Sequence, residues 1–347
     1  MGAFVGNRPG IMRTYRSPIS GGTACLLVSL LLSSMWVGAQ SPQASEDPLR
    51  EESQAESQQE TQEESQEQSQ RGFWQTLVDT DQRFAARSAQ AGRTEAFLEF
   101  LAADSIVFRA GPVDAVELYS STDFAEEASQ IAWKAHYVDV SRAGDLGLSA
   151  GPLTVFSEDG QNSFGHLISI WRASDDRWAL MADIVVNIPG FLSLDVEPNY
   201  DDTLPVIAET ANPLSAEVLG NTLRSLVDAD ELFGRSINFR GGQRALLRYG
   251  LENTRVYLPG MGPAVGAEAA SSVYGAFLDN QLATTNPISL ANHGAYLSAS
   301  KEMGYTFGTM ETSSEESGAG FQTSYMRLWR FSQSGEWRIA VEVLSPY

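Results

Sequence analysis

The side chains of this 347-residue chain that could do chemistry are few: three histidines, one cysteine, and carboxylates and phenols set among apolar residues. His166 lies in the run Phe164-Gly165-His166-Leu167-Ile168-Ser169-Ile170-Trp171 and shares a strand face with Phe164, Ile168 and Ile170. An imidazole among apolar neighbours is either a base whose pKa burial lowers, or a histidine satisfied by a nearby hydroxyl or carbonyl. Asp183 alternates with Ala179 and Met181, which sets it apart from Trp178, Leu180 and Ala182. A buried carboxylate there is a candidate base, with Tyr137 as a donor to a developing oxyanion. His136, Trp171, Tyr325 and Glu342 complete the candidates, as residues that would line a ligand pocket. Glu342 matches Asp183 in a second half of the chain. The two are either a duplicated site or ends of cross-strand ion pairs with Arg172 and Arg330. The ion pair is preferred, because such pairs are routine in sheets.

Other chemistries lack their residues. His136, His166 and His293 are widely spread and have no cysteine partners, so no zinc site is expected. Cys25 falls in the N-terminal apolar segment, which leaves a processed chain no thiol for a disulfide or for catalysis. No nucleophile elbow and no phosphate loop occurs, and no cofactor is expected. With 44 acidic against 23 basic residues, the net charge of −21 repels phosphate backbones. Nucleic acid and anionic membrane surfaces are therefore not expected partners.

Residues 1–39 read as a signal peptide. Arg8, Arg13 and Arg16 form a positive start, Ala24 to Val37 is apolar, and Val37-Gly38-Ala39 offers small residues for cleavage near Ala39. That apolar run is short for a membrane span, which needs about 20 residues. A membrane association follows only if the signal stays uncleaved; otherwise the protein is secreted or periplasmic. Residues 40–71 are dominated by Gln, Glu and Ser and carry too little apolar surface to offset the entropy of ordering, so a disordered spacer is expected.

The elements that must position the candidates occur twice. Trp74, Leu77, Val78, Asp81 and Phe84 recur as Leu223, Leu226, Val227, Asp230 and Phe233, each set at helical spacing. A second helix follows, carrying Phe97, Leu98 and Leu101 in one copy and Leu246 and Leu247 in the other, with Thr94 as an N-cap of the first. A short strand comes next (104–111 and 253–260), then a third helix (114–119 and 267–277) that is longer in the second copy. Tyr137-Val138-Asp139-Val140-Ser141 leads into Gly144-Asp145-Leu146-Gly147 and Gly151. Its counterpart is Ala295-Tyr296-Leu297-Ser298, then Lys301-Glu302-Met303-Gly304 and Gly308. The late glycine predicts a bulge in each copy, and Asp145 and Glu302 are read as serving turn geometry. Ile170-Trp171-Arg172 with Trp178, and Leu328-Trp329-Arg330 with Trp337, predict a closing hairpin whose tryptophans pack in the core. The boundaries are a first domain at 72–189, a proline-containing acidic linker at 190–220 that packs against both domains, and a second domain at 221–347.

Helix, helix, short strand, helix and several long antiparallel strands resemble the NTF2-like fold, a cone of curved sheet wrapped around helices. The motifs Asp-x-x-Val-Phe-Arg-x-Gly, Val-Ser-x-x-Gly-Asp-Leu-Gly and Ile-Trp-Arg…Trp are similar to the DUF4440 and SnoaL-like branch of that superfamily. The second copy departs from them at Asn253 and at Lys301-Glu302-Met303-Gly304. The resemblance implies an α+β chain of two tandem cones, each with an internal pocket, and domains that pair through their sheets. With the duplication and the lack of a complete polar constellation or a metal or cofactor motif, the expectation for this chain is a non-catalytic small-molecule-binding or association module, an intrachain pseudo-dimer holding a small apolar or amphipathic ligand. The alternative the resemblance implies is a cofactor-independent lyase or isomerase in the first domain, like SnoaL or ketosteroid isomerase. Fold alone does not choose between them.

Overall fold

The computed structural model describes residues 48–121, 130–157, 160–174, 177–202, 221–281, 287–312, 320–332 and 334–347, with side chains from residue 64. The expected export segment lies outside these residues. The body considered below is Glu52–Tyr347.

The first copy opens with α1 (Pro48–Ala91) and α2 (Arg93–Phe100), followed by β1 (Leu101–Arg109), β2 (Gly111–Asp114) and α3 (Ala115–Ser120). Five strands complete it: β3 (Gln130–Trp133), β4 (Tyr137–Val140), β5 (Leu146–Phe156), β6 (Ser163–Ser174) and β7 (Arg177–Ile188). The second copy repeats the order. It comprises α4 (Leu223–Arg240), α5 (Gly242–Tyr249), β8 (Gly250–Tyr257), β9 (Ala264–Val265), α6 (Ala267–Gln281), β10 (Ile288–Leu297), β11 (Met303–Thr312), β12 (Gln322–Phe331) and β13 (Trp337–Pro346). The first sheet runs β2-β1-β7-β6-β5-β3, with β4 also on β5, and the second runs β9-β8-β13-β12-β11-β10. Among the described residues, only β1 with β7, and β8 with β13, pair in parallel. The chain is thus α+β, two tandem cones of one topology.

Two expectations differ from the structure. Over 48–71 the chain is helical, continuous with the predicted first helix, where composition argued for disorder. Glu, Gln and Ala are good helix formers, and a helix nucleated in the domain propagates more easily than it starts. Its last turns before the domain are also held, since the buried Gln70 Nε2 donates to Val140 O at 3.0 Å. Second, α2 is capped by Gly92 at φ 89°, not by Thr94, and no side chain caps it.

The late glycines have a definite task. In the first copy Trp133 and Tyr137 are four positions apart, while their partners Leu153 and Ala150 are three apart, so one residue is extra and β3 and β4 are split. In the second copy the same extra residue is a bulge between Asn292 and Gly294, opposite Gly308 and Phe307. A Cβ on Gly151 would stand 1.8 Å from Lys134 O, and one on Gly308 would stand 2.0 Å from Ala291 O. At the preceding turn, Gly144 (φ 69°) is matched by Lys301 (φ 57°), so the second copy carries a side chain in left-handed backbone.

In each copy one sheet face packs on the helices, burying Leu77, Phe84, Phe97, Trp171 and Trp178 in one cone and Leu226, Phe233, Tyr274, Trp329 and Trp337 in the other. The opposite faces form a single shared core of Leu148, Ile168, Ile170, Ile184, Tyr305, Met326, Leu328 and Val341. The turns at its edge exchange contacts reciprocally. Glu302 Oε1 accepts the Arg142 N–H at 2.7 Å, and Asp145 Oδ2 accepts the Ala299 N–H at 2.8 Å. These carboxylates therefore reach into the other copy as well as shaping their own turns. Beside them Arg330 is buried between two acids, donating through Nη1 to Glu302 at 3.1 Å and through Nη2 and Nε to Asp139 of the first copy. The connector touches both copies: Tyr200 packs edge-on against Trp74 at 5.7 Å, and Asp202 pairs with Arg255 at 3.3 Å.

Because each Cβ would strike a backbone carbonyl rather than a flexible side chain, Gly151→Ala and Gly308→Ala should each destabilise the protein by about 1–3 kcal/mol, or more. Denaturant midpoints of the two variants check this, with Gly262→Ala, which meets nothing within 4 Å, as the control.

Candidate functional site

Each cone is organised by a carboxylate on the apolar stripe of its first long helix. In the first, Asp81 Oδ1 accepts from Ser149 Oγ at 2.8 Å, and Ser149 in turn accepts from Trp171 Nε1 at 2.9 Å. In the second, Asp230 Oδ1 accepts from Thr306 Oγ1 at 2.8 Å, and Thr306 accepts from Trp329 Nε1 at 2.9 Å. The relay aspartate–hydroxyl–indole is the same in both. A buried helix carboxylate must be hydrogen-bonded to be tolerated, and the sheet supplies the donors.

Beyond this relay the cones diverge. Arg327 and Glu342 are direct cross-strand partners on β12 and β13, and the partners at that register in the first copy are Ser169 and Asp183. Arg327 is wholly buried. It donates through Nε to Glu342 at 2.6 Å, through Nη2 to the same carboxylate at 3.1 Å, and through Nη1 to Asp230 at 2.7 Å. Its guanidinium also stacks 3.9 Å from the Tyr325 ring. Tyr325 Oη and Asn292 Nδ2 donate to the other Asp230 oxygen, at 2.7 and 2.8 Å, and Tyr274 Oη donates to Glu342 at 3.2 Å. The second cone is closed by its own polar groups. Glu342 is raised from the ordinary glutamate range by burial, against the pull of Arg327.

The first cone lacks three of these donors. Leu167 stands at the position of Tyr325, Ala135 at that of Asn292, and Ser169 at that of Arg327. A cavity of about 140 Å³ opens among Arg93, Phe97, Leu153, Leu167, Asp183 and Val185, with Arg109 and Ile131 also on its wall. Asp183 is only 6% exposed. Ser169 Oγ and the second oxygen of Asp81 are buried and unpartnered. Burial pushes Asp183 up to about 6, opposed by the charges of Arg93 and Arg109. Burial likewise pushes Asp81 up to about 6, opposed by the Ser149 hydrogen bond.

The candidates read from sequence therefore divide between two surfaces. Asp183 and Trp171 face the first cone, and Tyr325 and Glu342 face the second. His166 and Tyr137 lie on the shared core between the sheets. The His166 ring meets Tyr257 of the second copy edge-on at 5.4 Å, and burial lowers its pKa to about 4. The Tyr137 ring is covered by the Arg255 guanidinium at 4.1 Å. His136 sits in the break between β3 and β4, half-buried, its N–H donating to Ala150 O at 2.9 Å. His166, Tyr137 and Asp183 thus share no pocket. The expected ion pairs are also different: Arg172 pairs with Asp104 at 2.8 Å, Arg330 pairs with Asp139 and Glu302, and the partner of Glu342 is Arg327. The cause is an extra residue on each last strand. Trp171 pairs with Leu180 but Ile170 pairs with Ala182, so Met181 is inserted and every later side chain changes face. Arg327, Asp81 and Asp230 were missed as site residues, although an aspartate on both apolar helix stripes was a visible sign.

No protein-family profile matches the chain, and no curated protein matches it. Solved structures resemble it over about one domain. A ketosteroid isomerase-like protein from Erwinia carotovora atroseptica is 18% identical, matched over 36% of this chain and 95% of its own, with a TM-score of 0.29. An NTF2-like protein of unknown function from Shewanella oneidensis is 11% identical over 35% of this chain and 97% of its own, with a TM-score of 0.29. Another NTF2-like protein of unknown function, from Pseudomonas putida, is 10% identical over 35% of this chain and 84% of its own, with a TM-score of 0.30. Nothing about activity is taken from these likenesses.

The raised carboxyls fix a pH dependence. A carboxyl whose folded pKa lies above its unfolded value favours folding most fully below about 3.8, and that contribution is lost as pH rises through about 6. Two units correspond to roughly 3 kcal/mol per group at the most. Burial of His166, with its pKa lowered to about 4, acts in the opposite sense, so the measurement is a difference: by calorimetry, the thermal midpoint of the wild type minus that of the double variant Asp81→Asn/Asp183→Asn should rise as pH falls from 7.5 to 5.

Proposed function

We propose that this chain is an exported, non-catalytic binding module in which the two cones form an intrachain pseudo-dimer and only the first holds a small amphipathic ligand. The observation that carries this reading is the contrast between the interiors. Arg327 fills the second cone, whereas Ser169 leaves a cavity under the buried Asp183 in the first. An apolar wall with a few convergent polar groups is the usual character of a ligand site. Export to a secreted or periplasmic location rests on the signal character of residues 1–39. The DUF4440 and SnoaL-like motifs support the same superfamily assignment at a finer level.

A second reading keeps the same cavity and gives Asp183 the role of a base in a lyase or isomerase. It is favoured by one feature, a carboxyl pushed up to about 6 inside a cavity, where a base works best near neutral pH. His166 and Tyr137 have no part in it, because both lie on the other face of the sheet.

A thermal-shift screen of the full chain against small metabolites and lipids tests the binding reading. A ligand at a hundred times its Kd stabilises by about 2.7 kcal/mol, a shift of several degrees. A hit should vanish in Asp183→Ala and survive Arg327→Met, which by breaking a buried ion network should itself cost about 3–5 kcal/mol. A hit with the opposite dependence would move the site to the second cone, and turnover of a hit would favour the second reading.

The pseudo-dimer has its own consequence. Arg330→Met leaves Asp139 and Glu302 buried without their cation and should cost about 3–5 kcal/mol, with much of the loss recovered when Asp139→Leu is added. Urea denaturation of the double-mutant cycle measures this; additive losses would mean that Arg330 and Asp139 do not act as a pair between the copies.

A further inference from the structure

The cavity of the first cone occupies the place that a guanidinium fills in the second. Three of its wall residues, Asp183, Leu153 and Leu167, are the counterparts of Glu342, Met310 and Tyr325. All three of those touch Arg327: Glu342 accepts two of its hydrogen bonds, Met310 Sδ accepts another at 3.3 Å, and Tyr325 stacks on it. The register is the same in both copies, with Ser169 opposite Asp183 as Arg327 is opposite Glu342. The first copy has kept the carboxylate and has a serine where the second has the cross-strand arginine. What remains are a carboxylate and a hydroxyl, Asp183 and Ser169, each more than nine-tenths buried, the hydroxyl without a hydrogen-bond partner and the carboxyl pushed up by burial against the charges of Arg93 and Arg109.

We propose that the first cone binds a ligand through a guanidinium-type cationic head seated on Asp183, in the position that Arg327 holds over Glu342. This rests on the binding reading above and names the chemical class of its ligand. A cavity of about 140 Å³ suits such a head with a short alkyl stem, since a cavity of roughly 150 Å³ accepts a benzene ring. The planar fork of a guanidinium matches a carboxylate with two parallel hydrogen bonds, which the backbone register has already shown to fit in the second copy. Apolar Phe97, Leu153, Leu167 and Val185 would cover the stem and exclude water, which strengthens the ionic contact. Arg93 and Arg109 stand on the same wall, and their charge favours an anion instead, so charge is the property to test.

The test compares three probes on the full chain at matched ionic strength: ethylguanidinium, its neutral near-isostere N-ethylurea, and the anion propionate, each with a planar head on an ethyl group. Tryptophan fluorescence titration and thermal midpoints report binding, as Trp133 and Trp171 pack in this cone. Ethylguanidinium should bind at least tenfold more tightly than N-ethylurea, and propionate should not bind. Asp183→Asn should abolish the preference. Ser169→Arg should fill the cavity, lose ethylguanidinium binding and melt above the wild type. Equal binding of the urea, or preference for propionate, with either lost in Asp183→Asn, would overturn the cationic head and leave the binding reading standing. Absence of binding by all three probes overturns the cationic head, and absence of any hit in the metabolite and lipid screen as well removes the binding reading with it. Unchanged ethylguanidinium affinity in both variants would place the contact elsewhere and end the proposal.

Discussion

Each copy folds a sheet with two apolar faces but has helices for only one of them. The uncovered faces carry Leu148, Ile168, Ile170, Met326, Leu328 and Val341, and removing them from water is the constraint from which most of the remaining structure follows. Packing one sheet on the other satisfies both at once. The same constraint explains why charges within the contact are paired so closely. Asp139 lies in the shared core, where burial raises its pKa, and Arg330 from the other copy is what holds its charge. The turn carboxylates Glu302 and Asp145 each accept an N–H of the opposite turn, so the rim uses the same contact twice, as a two-fold interface does.

The symmetry stops at the arginines. Arg330 of the second copy reaches across to Asp139, whereas its counterpart Arg172 meets Tyr296, the residue matching Asp139, 5.9 Å from the ring, and pairs with Asp104 of its own copy. One clamp is ionic and buried, and the other is a looser cation–aromatic contact near the edge. Fusion of two copies into one chain permits this difference. A homodimer must use one residue at both related positions, but a tandem chain can place Asp139 at one and Tyr296 at the other.

Much of the framework was legible because it depends on local periodicity. The paired helices from Trp74 to Phe84 and Leu223 to Phe233, the glycine turns and the closing hairpins all leave signals within a dozen residues. The late glycines could be assigned a bulge because no side chain fits beside a carbonyl at less than about 3 Å. The faces of β7 and β13 could not be read in the same way. Alternation carried Asp183 into company with Ala179 and Met181, but one inserted residue in the strand reverses every side chain beyond it, and nothing in the sequence marks Met181 as the extra one. The ion partners were missed for a related reason. Arg330 and Arg327 are both near Glu342 along the adjacent strand, and only the register selects between them. The helical start at Pro48 was hidden by composition, which speaks for solvation and is silent on a helix propagated from a folded domain.

The same freedom that separates the two clamps separates the two interiors. A buried arginine between two carboxylates is costly to desolvate and returns its stability only when all its hydrogen bonds are made, as those of Arg327 to Asp230 and Glu342 are. Such a network closes a cone: its polar groups are spent on one another, and Phe233, Tyr274 and Tyr325 fill the space around them. A cone that retains the carboxylate without the cross-strand arginine has its electrostatic demand met only in part, by the charges of Arg93 and Arg109, which oppose burial without overcoming it. Asp183 moves part of that demand onto its own proton, with a pKa raised to about 6. In a single cone these two states exclude each other, since one side chain cannot both fill the cavity and leave it open. Two cones joined back to back avoid the conflict. The closed cone supplies a sheet against which the other packs, so the open one keeps a buried acid with no cross-strand cation, which a lone domain of this size would tolerate poorly.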